Sequence, residues 1–148
     1  AFQKITVYET KLNTSFEKDK RTFYYVSLYI GKKDGKNPYL RIRTKYTNIR
    51  SDYYDTNWIF YESVHLLDDK GNKISISTKY PEKKSDNGSY GLKEWSDNNL
   101  SSQEILKFEN AERIKVRFTG KYSYDFSMNQ IQLKAFIEMI QKYKQINE

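Results

Sequence analysis

At 148 residues the chain is the size of one domain, and with 37% hydrophobic and 16% aromatic residues it holds too much apolar surface to stay disordered. It has no cysteine, which excludes disulfides, thiol chemistry and thiolate zinc, and no apolar run approaches the roughly 18 residues a membrane-spanning helix needs. The formal charge is +7 and uneven: the first 50 residues carry 12 Lys/Arg against 4 Asp/Glu, the remainder 14 against 15. Such an excess attracts nucleic acid, anionic lipid or acidic polysaccharide. It also arises without any polyanion, because Lys, Asn, Ile and Tyr, all written with A/T-rich codons, make up 58 of the 148 residues. The start at Ala1-Phe2-Gln3, without Met or an apolar leader, suits a soluble domain whose targeting segment has been removed.

Period-two alternation dominates as far as Tyr80. Ile5 and Val7, flanked by Thr6 and Tyr8, predict a first strand. Thr22 to Ile30 predicts the clearest strand of the first half. Tyr24, Val26, Leu28 and Ile30 share one face, and Phe23, Tyr25, Ser27 and Tyr29 share the other. Gly31 to Pro38 has turn composition, and Tyr39 to Tyr46 then sets Leu40, Ile42, Thr44 and Tyr46 against Arg41, Arg43 and Lys45. Asn48 to Asn57 predicts a loop and Trp58 to Leu67 a long strand; Asp68 to Asn72 turns the chain into a hairpin with Lys73 to Thr78. Pro81 to Asn99, rich in turn formers, predicts a loop interrupted by the Leu92–Trp95 patch.

Ser101 and Glu104 have the spacing of a capping box that opens a short helix to about Phe108. Arg113 to Thr119 repeats the basic/apolar alternation, and Tyr122 to Phe126 predicts a short returning strand. A second capping box, Ser127 with Gln130, opens a helix over about 128–145 whose apolar stripe is Leu133, Phe136, Ile137, Ile140 and Tyr143. The sum is a single α+β domain: an antiparallel, β-sandwich-like system of about seven strands, with a short helix and a C-terminal amphipathic helix packed on it. The predicted core is Val26, Leu28, Ile42, Phe60, Val64, Ile74, Ile76, Ile114, Val116, Phe118, Phe136 and Ile140.

Chemistry is harder to find. The lone histidine, His65, falls on the alternation with Ile59, Tyr61 and Leu67 and reads as a packed or edge residue, since no serine turn or orienting acid accompanies it. The Asp68-Asp69 turn lacks the terminal Glu of a calcium loop, no phosphate-binding glycine loop appears, and no cofactor is expected. Glu94 and Asp97 around Trp95 form one candidate loop site, in which an aromatic floor for a sugar ring would sit beside two acids. Arg41, Arg43 and Lys45 with Arg113, Lys115 and Arg117 form the other. If their two strands are neighbours, six cations make one polyanion-binding patch among tyrosines. A plain solvated sheet face accounts for the same alternation.

The segment Trp58–Val64 with the Asp69–Asn72 turn, then Glu94-Trp95-Ser96-Asp97, then Ala111–Gly120 and Tyr124-Asp125, resembles a group of uncharacterised bacterial secreted or lipid-anchored domains over roughly residues 58–145. The resemblance implies a β-sandwich and an extracytoplasmic setting in the cell envelope, and brings no activity. The reading is a non-enzymatic binding module whose partner is a protein or surface polymer. Polyanion binding (single-stranded nucleic acid, anionic glycan or lipid) through the basic strand faces and a carboxylate hydrolase built on Glu94 and Asp97 stand as alternatives.

Overall fold

The computed structural model describes residues 4–49, 58–78 and 91–147, together with the main chain of 82–85. Among the described residues ten strands form two antiparallel sheets. The larger holds β1 (Ile5–Glu9), β2 (Ser15–Glu17), β3 (Thr22–Lys33), β4 (Tyr39–Asn48), β7 (Glu82–Ser85) and β8 (Leu92–Leu100), in the order β1-β3-β4-β8-β7. β1 lies beside Tyr29–Lys33 and β2 beside Phe23–Tyr25, so the two short strands share one edge of β3. The smaller sheet runs β10 (Tyr124–Ser127), β9 (Ile114–Thr119), β5 (Ser63–Asp68), β6 (Lys73–Ser77).

Alternation explains the sandwich. The even residues Tyr24 to Ile30 of β3 and Leu40 to Tyr46 of β4 are buried and face Val64, Leu66, Ile74, Ile76, Ile114, Val116 and Phe118 of the other sheet in one continuous core. Tyr24 meets Phe118 edge-on at 4.9 Å and stacks on Tyr124 at 4.9 Å, which ties the sheets together with aromatic rings. Burial holds the Tyr24 and Tyr61 phenols well above their ordinary range.

The predicted hairpin is present, with Gly71 in the left-handed region and Asp68 at its centre. The Asp68 carboxylate accepts from the main-chain N–H of Lys70 (2.9 Å) and Asn72 (2.8 Å), so this acid organises the turn. Asp69 beside it accepts from the N–H groups of Arg113 and Glu112, which hold its carboxyl down at about 2.

Several expectations are corrected. Most of the predicted loop over 81–99 is strand: β8 pairs with β4 from Leu92 to Leu100, with Glu94 buried and Asp97 and Asn99 exposed on the opposite face. The Ser85–Ser89 turn lies outside the described residues apart from the main chain of Ser85, as does most of the loop over Asn48–Asn57. Ser101 is the N-cap of α1 (Ser102–Ile105) but its side chain makes no capping bond, and a 3-10 turn over Leu106–Phe108 follows. The second capping box is shifted by two residues. Asn129 and Gln132, not Ser127 and Gln130, exchange reciprocal bonds at the start of α2 (Gln130–Asn147), at 3.0 and 2.8 Å. The buried stripe of α2 is rotated accordingly to Gln132, Ala135, Phe136, Met139, Ile140 and Tyr143, with Leu133 and Ile137 half-buried. Gln132 also donates to the carbonyl of Thr14 at 2.8 Å, in the break between β1 and β2, so α2 fastens the interrupted edge of the larger sheet.

The strand predicted from Trp58 begins only at Ser63. Phe60 adopts φ 48°, and Ile59 and Tyr61 turn inward while Phe60 is exposed and stacks with Trp58 at 6.0 Å; the in–out phase then slips at Glu62–Ser63 before Val64 points inward. Phe60 is therefore not a core residue. The segment around it bridges the sheets. The Ile59 carbonyl accepts from Lys121 and Glu62 N–H donates to Thr119 on one side, and the Tyr61 hydroxyl reaches Thr44 on the other.

Candidate functional site

The outer face of the larger sheet is built by the odd residues of β3, β4 and β8. Register places Tyr25, Lys45 and Trp95 side by side on three adjacent strands, followed by the row Ser27, Arg43, Asp97 and the row Tyr29, Arg41, Asn99. One end of this surface is locked. Asp97 accepts from Arg41 Nε at 2.8 Å and from the Tyr29 hydroxyl at 2.7 Å, Arg41 also donates to Asn99 at 2.6 Å, and Arg43 pairs with Glu9 at 2.6 Å while lying 4.0 Å over the Tyr29 ring. Burial, then the bond to Asp97, raises the Tyr29 phenol. Two of the three cations of the first stripe are thus neutralised by acids that sequence spacing does not reveal.

The other end is open. Lys45 carries no ion pair among the described residues; its ammonium lies 5.2 Å from the centre of the Tyr25 ring. Lys93, likewise without an ion pair among the described residues, flanks half-buried Trp95. Tyr25, Lys45, Lys93 and Trp95 line a recess of about 590 Å³, bounded by Arg43 and Asp97.

The second stripe lies elsewhere. Lys115 and Arg117 point outward from β9 in the smaller sheet, whose strands pair only with one another, so the six cations never form one patch. Arg113 precedes β9, and Arg117 is held in a two-bond pair with Asp125 at 2.6 and 2.8 Å. Alternation identifies which residues share a face of a strand but not which strands are neighbours, which is why the single-patch expectation fails.

The acid pair is also separated. Glu94 and Asp97 are three residues apart on a strand, so they project from opposite faces. Glu94 is fully buried and accepts from the main-chain N–H of Ile59 (2.9 Å) and Tyr61 (3.2 Å), whereas Asp97 belongs to the outer network. They cannot flank one scissile bond, and the hydrolase reading is withdrawn. His65 is neither packed in the core nor on an edge: it stands on the outer face of interior strand β5, between the hydroxyls of Ser63 and Ser75. Among the described residues no group of three or more His, Asp or Glu side chains could hold a metal ion, and no helix is long and apolar enough to cross a membrane.

No family model matches the chain, and neither a curated protein nor a solved structure does.

Sequence reading names Tyr25 and Tyr29 as one strand face and Arg41, Arg43 and Lys45 as another, yet misses Lys93 and the acids Glu9 and Asp97 as their companions. The only signal for that assembly is the non-local register of β1, β3, β4 and β8.

Proposed function

We propose that this chain is a non-catalytic binding module that holds an acidic polysaccharide against the open end of the larger sheet. The observation that carries the reading is the Tyr25–Lys45–Trp95 row lining one recess with Lys93. Flat rings offer rigid, amphipathic area on which the C–H face of a sugar packs, and two lysines without acid partners among the described residues attract carboxylate or sulfate groups. The locked Asp97–Arg41–Tyr29 end gives the strands a fixed surface, so little ordering cost accompanies binding. A cell-envelope setting, where surface polymers of this kind occur, is part of the same reading and rests on the resemblance of residues 58–145.

The test is fluorescence anisotropy with labelled heparin fragments as the acidic glycan, at low and moderate salt. Affinity is expected to fall with salt, and Trp95→Ala to weaken binding about tenfold, the order of one lost aromatic stacking contact. Lys45→Glu with Lys93→Glu is expected to abolish binding at this face. Arg41→Glu is a poor probe, since it would set a second acid against Asp97 and disturb the network itself. Equal affinity of wild type and Trp95→Ala contradicts the proposal. Tighter binding of an oligothymidylate than of heparin would replace the glycan with single-stranded nucleic acid.

A further inference from the structure

The outer face of the smaller sheet carries a second, independent feature. Register brings Lys115, Leu67 and Lys73 into one row and Asp125, Arg117, His65 and Ser75 into the next. His65, Leu67, Lys73, Lys115, Arg117 and Thr119 line a recess of about 460 Å³. Its charged groups come from each strand of the sheet: Lys73 from β6, Lys115 and Arg117 from β9, and Asp125 from β10, with His65 itself on β5. Asp125, the one acid among them, is committed to Arg117 through both its oxygens. Lys73 and Lys115 have no ion pair among the described residues.

His65 is placed to sense what fills this recess. Its Nε2 lies 3.0 Å from Ser63 Oγ and its Nδ1 2.8 Å from Ser75 Oγ. A neutral imidazole donates from one nitrogen and accepts at the other, so one of the two serine hydroxyls must donate to the ring. An imidazolium donates from both nitrogens. Both serines then accept, and the one hydroxyl hydrogen that had been directed at the ring turns away from it. Protonation therefore requires only hydroxyl rotation, and it adds one positive charge and one freed O–H donor to the face. Burial, then Lys73 and Arg117, hold the imidazole below its ordinary value in the absence of an anion.

We propose that this recess binds a tetrahedral oxyanion, a phosphate or sulfate monoester, gripped by Lys73 and Lys115 beside the positive charge of protonated His65. Anion and proton then bind together: each strengthens the other by the same factor. The site lies on the opposite sheet from the glycan face and does not depend on it.

His65 is the only histidine in the chain, so its ring C–H resonance can be followed through a pH titration without ambiguity. The titration is run in chloride, inorganic phosphate and sulfate at matched ionic strength. Saturating phosphate is expected to raise the His65 midpoint by about one unit, a tenfold preference of the anion for the protonated form. A matching rise in sulfate assigns a general oxyanion site; a rise in phosphate alone assigns a phosphate site. Lys73→Ala with Lys115→Ala, both exposed, should remove the anion-dependent rise while lifting the midpoint in chloride, because repelling charge is gone. Trp95→Ala should leave the rise intact, which separates this site from the glycan face. The same midpoint in all three salts overturns the proposal.

Discussion

Glu94→Ala is expected to lower the thermal unfolding midpoint by about 10–20 °C. Glu94 is fully buried on β8, and its two carboxylate oxygens accept from the N–H groups of Ile59 and Tyr61. Those donors belong to the segment that bridges the sheets while carrying Phe60 in the left-handed region. Alanine leaves both N–H groups buried without an acceptor and opens a cavity beside Tyr61. Bonds to a charged group are each worth about 1.5–3 kcal/mol, so the combined loss is about 3–5 kcal/mol. At this chain length each kcal/mol moves the midpoint by about 3–4 °C. Glu94→Gln keeps one acceptor oxygen but sets its NH₂ against the other N–H, and an intermediate loss is expected. Circular dichroism melts check both; a fall below about 2 °C for Glu94→Ala would mean that the carboxylate does not hold the bridge.

Gly91→Ala is expected to be at least as damaging, and Gly35→Ala much milder. Both glycines are left-handed, at φ 71° and 74°, and alanine there costs about 1–2 kcal/mol by backbone strain alone. Their surroundings decide the difference. A Cβ on Gly35 meets nothing, whereas one on Gly91 would run into the Asn48 carbonyl and lie 2.7 Å from the Ile49 Cα. Main chain cannot swing aside as a side chain would, so β8 must part from the end of β4, where Leu92 pairs with Asn48. The expected result is a soluble Gly35→Ala protein with its midpoint lowered by a few degrees and a Gly91→Ala protein lowered by more than about 10 °C, or recovered only in aggregates. Equal melts for the two would show that the approach of Gly91 to β4 is not tight.

Much of the fold is legible in the sequence because alternation is a local signal. The strands around Val26, Ile42, Ile74 and Val116, the Asp68–Asn72 hairpin and the terminal helix all follow from periodicity and turn chemistry, and eleven of the twelve predicted core residues are buried. Phe60 is the exception because the in–out phase slips between Tyr61 and Val64, beside the left-handed Phe60, and nothing in the identity of these residues marks the slip. β8 is missed for a different reason. Its residues Ser96, Asp97, Asn98 and Asn99 are poor strand formers, and they are held as strand by pairing with β4 on one side and, at Leu92–Trp95, with β7 on the other. The site suffers most from this non-locality. Trp95 and Asp97 are legible as candidates, but their partners Lys45, Tyr25 and Arg41 lie fifty or more residues away, and only register brings them together.

Mapping the heparin contact residue by residue tests the proposed function most directly. In ¹H–¹⁵N spectra of the Lys73→Ala, Lys115→Ala variant, which lacks the cations of the His65 recess, heparin fragments are expected to shift the Trp95 indole and the amides of Tyr25, Lys45 and Lys93, and to leave the α2 helix unchanged. Shifts centred on other elements, or none at all, would contradict the assignment of this face as the binding surface.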